Sequence, residues 1–160
     1  MGPDSSYQTA LGLYQHIIEE HKANLISASM MPEYVKVGII SAEQLKKIYT
    51  TWVVKRHLMT AYPASGEAHR VADLIEYNYL TAHKAIYFDE NKLLHINFEQ
   101  MPIVCRQMLE DIIDVQLSKS PDYAKNYVEK WNNWNELSQY IADFKLKLGV
   151  KPYIELVTHF

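Results

Sequence analysis

Along residues 7–31 the apolar side chains Leu11, Tyr14, Ile18, Leu25 and Ala28 recur at helical spacing, which predicts a first helix. Pro32 is expected to end it, because proline has no N–H to donate. Ser41 followed three residues later by Gln44 has the form of a capping box and predicts a second helix reaching about Ala61, where Tyr62-Pro63-Ala64-Ser65-Gly66 breaks the pattern. A third helix is expected from Glu67 to about Lys84, with Ala68, Ala72, Ile75, Tyr79 and Ala82 on an apolar face and polar residues on the other. The period then shortens. Tyr87-Phe88, the polar turn Asp89-Glu90-Asn91-Lys92 and Leu93-Leu94-His95-Ile96 read as a short hairpin, which needs helices to pack on.

Pro102 near a helix start, with Val104, Cys105, Met108, Leu109, Ile112, Ile113 and Val115 behind it, predicts a fourth helix whose wide apolar face makes it the central one. Ser120-Pro121-Asp122 supplies a cap and a first-turn proline for a fifth helix carrying Tyr123, Tyr127, Val128 and Trp131, interrupted by residues 132–135. A sixth, with Leu137, Ile141, Phe144, Leu146 and Leu148, should stop at Gly149. The expected fold is mainly α: an irregular bundle of about six helices with one short β-hairpin between helices three and four. Residues 1–6 read as a leader or disordered end, residues 7–150 as a single helical domain, and residues 151–160 as an extended C-terminal tail.

Composition narrows the function classes. With 48% hydrophobic residues, 160 residues supply one core but not two. A net charge of −3 without a basic stripe argues against a nucleic-acid partner. No apolar run approaches the roughly 20 residues a membrane span requires, so no membrane partner is expected. Cys105 is the only cysteine, which excludes an internal disulfide and paired-thiolate metal sites and suits a reducing, cytoplasmic setting. On the apolar stripe of the fourth helix Cys105 reads as core. Five glycines give little material for a phosphate-binding loop. Trp131, Trp134 and the twelve tyrosines read as core or interface residues before they read as a ligand platform.

Seven histidines raise the question of a metal, and their spacing answers it in part. His16 and His21 lie about 140° apart around a helix and cannot chelate one ion without a bulge. Neither H-E-x-x-H nor its one-residue expansion occurs. His69, Asp73 and Glu76 fall at i, i+4 and i+7, so one helix face carries an imidazole with two carboxylates, an arrangement suited to a general acid or oxyanion donor. The plainer reading of that face is a solvated ion pair.

Several segments, in order, carry a resemblance. Glu19-Glu20-His21-Lys22-Ala23-Asn24-Leu25 is similar to an E-E-x-R-A-[DE] helix, and Glu67-Ala68-His69 matches E-A-H. Leu58-Met59-Thr60, residues 92–98, Asp122-Tyr123-Ala124, Val128-Glu129-Lys130 and Pro152-Tyr153 follow the same order. Together they resemble the C-terminal region of the zinc-dependent dipeptidyl peptidase III family. The resemblance implies that Glu20 is a zinc ligand, that His69 lies in an active site and contacts a peptide substrate, and that Asp73 and Glu76 line the substrate side.

The same comparison implies what is missing. The family's H-E-x-x-G-H helix, which supplies two zinc histidines and the catalytic glutamate, does not precede Glu20 here. Lys22 stands in place of arginine, Asn24 in place of an acid, and Asp73 in place of a base. The expectation is therefore a peptidase segment that binds zinc only as part of a complete enzyme and is not catalytic alone, because one carboxylate is not a three-ligand site. A rival from another class is a helical interaction or homodimerisation module, and a third is a small enzyme built on the face of His69, Asp73 and Glu76.

Overall fold

A computed structural model describes residues 10–54 and 68–147. Expectations for the leader, the break at 62–66, the far end of the second helix, the stop at Gly149 and the tail lie outside the described residues, as do Leu58-Met59-Thr60, Glu67 and Pro152-Tyr153. The described chain forms six α-helices and one hairpin in the order α1 (Gln15–Lys36), α2 (Ala42–Trp52), α3 (Ala68–Ala82), β1 (Ile86–Phe88), β2 (Leu94–Ile96), α4 (Gln100–Ser118), α5 (Pro121–Trp131) and α6 (Glu136–Lys147). The mainly α class and the place of the hairpin are as the pattern predicts. Among the described residues no helix is long and apolar enough to cross a membrane.

The first helix differs from expectation at both ends. Gly12 has φ +58°, outside the helical region, so Gly12–Tyr14 forms a short 3-10 turn and the α-helix starts at Gln15. Pro32 does not end α1 but lies inside it. A proline there strips the carbonyl four residues back of its partner. The Tyr49 hydroxyl of α2 donates to that carbonyl, Ala28 O, at 3.0 Å, which lets the helix run on to Lys36. The capping box at Ser41 forms in full, with Gln44 N donating to Ser41 Oγ (3.1 Å) and Ser41 N donating to Gln44 Oε1 (2.7 Å).

The interior helix is α3, not α4 as its wide apolar face suggests. Every residue of α3 from Val71 to Leu80 is buried, including the polar ones, whereas α4 leaves Ile103, Ile113 and Leu117 exposed. α1 lies across α3 and runs antiparallel to α4, as its contacts show: Lys22 Nζ reaches Gln116, Ser29 Oγ reaches the carbonyl of Cys105, and Glu33 pairs with Arg106. Asn78 of α3 donates through Nδ2 to the carbonyls of Trp131 (2.7 Å) and Asn133 (2.8 Å) and accepts from Asn135 (3.1 Å), so it fixes the break between α5 and α6. Asn135 Oδ1 then caps α6 by accepting from Ser138 N. At the start of α5, Ser120 Oγ accepts from Tyr123 N beside Pro121, as expected.

The hairpin pairs Ile86 with Ile96, Tyr87 with His95 and Phe88 with Leu94. Its turn is held by Asp89 Oδ1, which accepts from Asn91 N and Leu93 N, while Oδ2 meets His95 Nε2 at 2.9 Å. The His95 bond, with the backbone donors behind it, pulls the Asp89 carboxyl below its ordinary range. Ile86 is buried and Phe88 meets Tyr140 of α6 edge-on, so the hairpin is packed on the bundle as a two-stranded sheet requires.

Candidate functional site

Glu20 stands on the side of α1 that faces the N-terminus of α3, and His69 is the second residue of that helix. The fold brings the two together: His69 Nδ1 lies 3.0 Å from Glu20 Oε2, with the side chains 57% and 40% exposed. Exposure to that degree keeps the stabilisation from the contact small, on the order of 0–1 kcal/mol. It also leaves both groups open to a ligand.

The same two helices share a second contact of the same chemistry with no access to water. His21 Nδ1 is 3.1 Å from Glu76 Oε1, and both side chains are 0% exposed. Asn24 Nδ2 donates to the same Glu76 oxygen at 2.9 Å, and His21 Nε2 lies 3.1 Å from the Tyr127 hydroxyl of α5. Two neighbours feel the group: burial first, and then the charge of Glu76, push the Cys105 thiol above its ordinary range. Burial likewise raises the Tyr127 hydroxyl, helped by Asp111, Tyr79 and Glu76. Cys105 is fully buried, the core position expected for it.

The three residues expected to share one working face of α3 lie on one stripe but differ in exposure. His69 reaches the surface. Asp73 is 5% exposed and Glu76 0%, so neither side chain is offered to solvent, and the expected contact with substrate finds no geometric support at these two positions. A recess of about 200 Å³ opens instead between α1 and α2, lined by Ala23, Ser27, Met31, Ile48, Tyr49 and Trp52, and none of the three lines it.

Zinc needs about three protein ligands in a catalytic site. Among the described residues no group of three or more His, Cys, Asp or Glu side chains could hold a metal ion. Glu20 and His69 thus do not make a zinc site by themselves. A carboxylate oxygen can bind a metal and accept a hydrogen bond together, so the His69 contact is compatible with Glu20 as one ligand of a larger set.

The sequence did not reveal that His21 and Asn24 meet at Glu76 or that Tyr127 meets His21. A signal for His21 was present: Ile18, His21, Leu25 and Ala28 follow one stripe at spacings of three and four, and all four are buried.

No protein-family model matches the sequence, and no curated protein matches it. The structure of DPP III from Caldithrix abyssi superposes on 87% of the chain with a TM-score of 0.78 at 22% sequence identity. The structure of dipeptidyl-peptidase III from Corallococcus sp. strain EGB superposes on 88% with a TM-score of 0.81 at 16% identity. The fold is like that of dipeptidyl peptidase III. This chain spans 26% of the length of each of those two proteins.

Proposed function

We propose that the chain is a helical segment of a dipeptidyl peptidase III-like zinc peptidase, in which Glu20 is one metal ligand and His69 touches the peptide. One observation carries the reading: Glu20 and His69, far apart in sequence, meet at 3.0 Å on an open surface of a fold shared with two such peptidases. When bound, zinc would polarise the scissile carbonyl. The chain's own part is to offer the Glu20 carboxylate, and to place His69 where its imidazole donates to the carbonyl oxygen as charge develops there. Asp73 and Glu76 form the wall behind His69 in this reading. Without further metal ligands the segment does not hydrolyse peptides alone. Its single buried thiol suits the cytoplasm.

Exchanging this chain for the matching quarter of the Caldithrix abyssi enzyme tests the assignment. The folded chimera is expected to hold zinc, and Glu20→Ala to weaken zinc binding by about tenfold or more. His69→Ala is expected to leave zinc in place and lower kcat/KM for a dipeptidyl naphthylamide by about 100-fold. A folded chimera indifferent to both substitutions overturns the reading.

A second reading, an interaction or homodimer surface, draws on the exposed side chains Ile26, Met30 and Tyr34, at helical spacing along one side of α1, and Val37 just past its end. It ranks second because the meeting of Glu20 and His69 on a fold like that of two peptidases favours the first reading.

A further inference from the structure

Two histidine–glutamate contacts join α1 to α3, and they are crossed. Glu20 of α1 meets His69 of α3 at the surface, while His21 of α1 meets Glu76 of α3 inside. Along α3 the two partners lie two turns apart on one stripe, roughly 10 Å at 1.5 Å per residue, whereas Glu20 and His21 are adjacent. The inner contact therefore governs how α1 can slide or turn against α3. One residue of slip in α1 rotates its surface by about 100° and takes His21 away from Glu76. An apolar pair tolerates part of such a slip, because dispersion contacts have no direction. A buried imidazole and carboxylate do not, because either one left without a partner in the interior carries its full desolvation cost.

We propose that His21 and Glu76, with Asn24 and Tyr127, are positioning residues that hold Glu20 and His69 within hydrogen-bond reach. Both members of the inner pair are 0% exposed, a placement whose desolvation cost makes it weak support for stability and better suited to fixing one arrangement. Glu76 Oε1 takes donors from two successive turns of α1, His21 Nδ1 at 3.1 Å and Asn24 Nδ2 at 2.9 Å, which pins rotation as well as translation. Tyr127 brings in α5 through His21 Nε2, so three helices share the lock. Its purpose rests on the peptidase reading of Glu20 and His69; its geometry does not.

The test uses the whole chain without metal or peptide. The readout is the nuclear Overhauser cross-peak between the Glu20 side-chain protons and His69 Hε1, a contact that a merely structural pair deeper in the fold would not control. The cross-peak is expected in the wild type and in Glu76→Gln, which keeps an acceptor for His21 and Asn24. In the double variant His21→Leu/Glu76→Leu, folded by circular dichroism, it is expected to fall about fivefold or more. An undiminished cross-peak in that folded variant, or none in the wild type, overturns the proposal. Should the double variant not fold, Asn24→Ala/Tyr127→Phe removes two of the three bonds and is expected to weaken the cross-peak about twofold or more, with no change counting against the lock. Loss of the zinc assignment in the chimera leaves this result standing, and the reverse holds too.

Discussion

His21 and Glu76 occupy the same dry space, where each helps to satisfy the other beside Asn24 on Glu76 and Tyr127 on His21. Removing one takes a buried partner from the other, so His21→Leu or Glu76→Leu alone should cost up to about 3–5 kcal/mol. Removing both leaves an apolar contact of similar volume, and the double variant should unfold in urea close to the wild type or beyond it. Strict additivity of the two single losses would contradict a paired buried contact. At this scale the sequence held a signal that chelation spacing passed over: His21 falls on the stripe of Ile18, Leu25 and Ala28, and all four are buried. Its partner could not be read, because Glu76 becomes a partner only once α1 crosses α3, and no spacing within one helix encodes a crossing. His69 was legible from its place on a polar helix face and Glu20 from resemblance to a known family, while the burial of Asp73 and Glu76 on that same face was not legible, because it depends on what packs over α3.

Elements were legible wherever their signals were local. The capping box at Ser41, the Ser120-Pro121 start and the hairpin turn are each written within four residues, and each forms. Pro32 was misread because its remedy is remote: Tyr49 of α2 supplies the donor that the proline removes from Ala28 O. This makes a coupled prediction. Tyr49→Phe should destabilise the protein by about 1–3 kcal/mol, since it leaves a buried carbonyl without a donor. Pro32→Ala restores an N–H to the same carbonyl, so in that background the Tyr49→Phe loss should shrink by more than half. Chemical denaturation of the four proteins measures the coupling. Equal losses in the two backgrounds would show that the hydroxyl does not stand in for the missing amide.

For the molecule as a whole, six amphipathic runs and one change of period were enough to give the class, but not the helix at its centre. α3 carries His69, Arg70, Asp73, Glu76 and Asn78 and so reads as half polar, yet it is enclosed because its polar groups find partners in α1 and in the link between α5 and α6. That enclosure, with aromatic rings spread through the core, predicts how the fold fails at high pH. Burial pushes the hydroxyls of Tyr49, Tyr77, Tyr79 and Tyr127 above their ordinary range, Tyr79 with help from its bond to Asp111, and burial does the same to the Cys105 thiol. The unfolded chain releases these protons near the usual values, about 8.5 for the thiol and about 10 for tyrosine. Between those values and the raised native ones the folded state holds more protons, so the stability these groups contribute is complete below about pH 8 and declines as pH rises. The melting temperature should therefore drop steadily above about pH 9. Tyrosinate absorbance from the four buried rings should appear together with the loss of helical circular dichroism, because these rings reach hydroxide only when the bundle opens. Ionisation of those rings while the helical signal stays intact would mean that water already reaches the core.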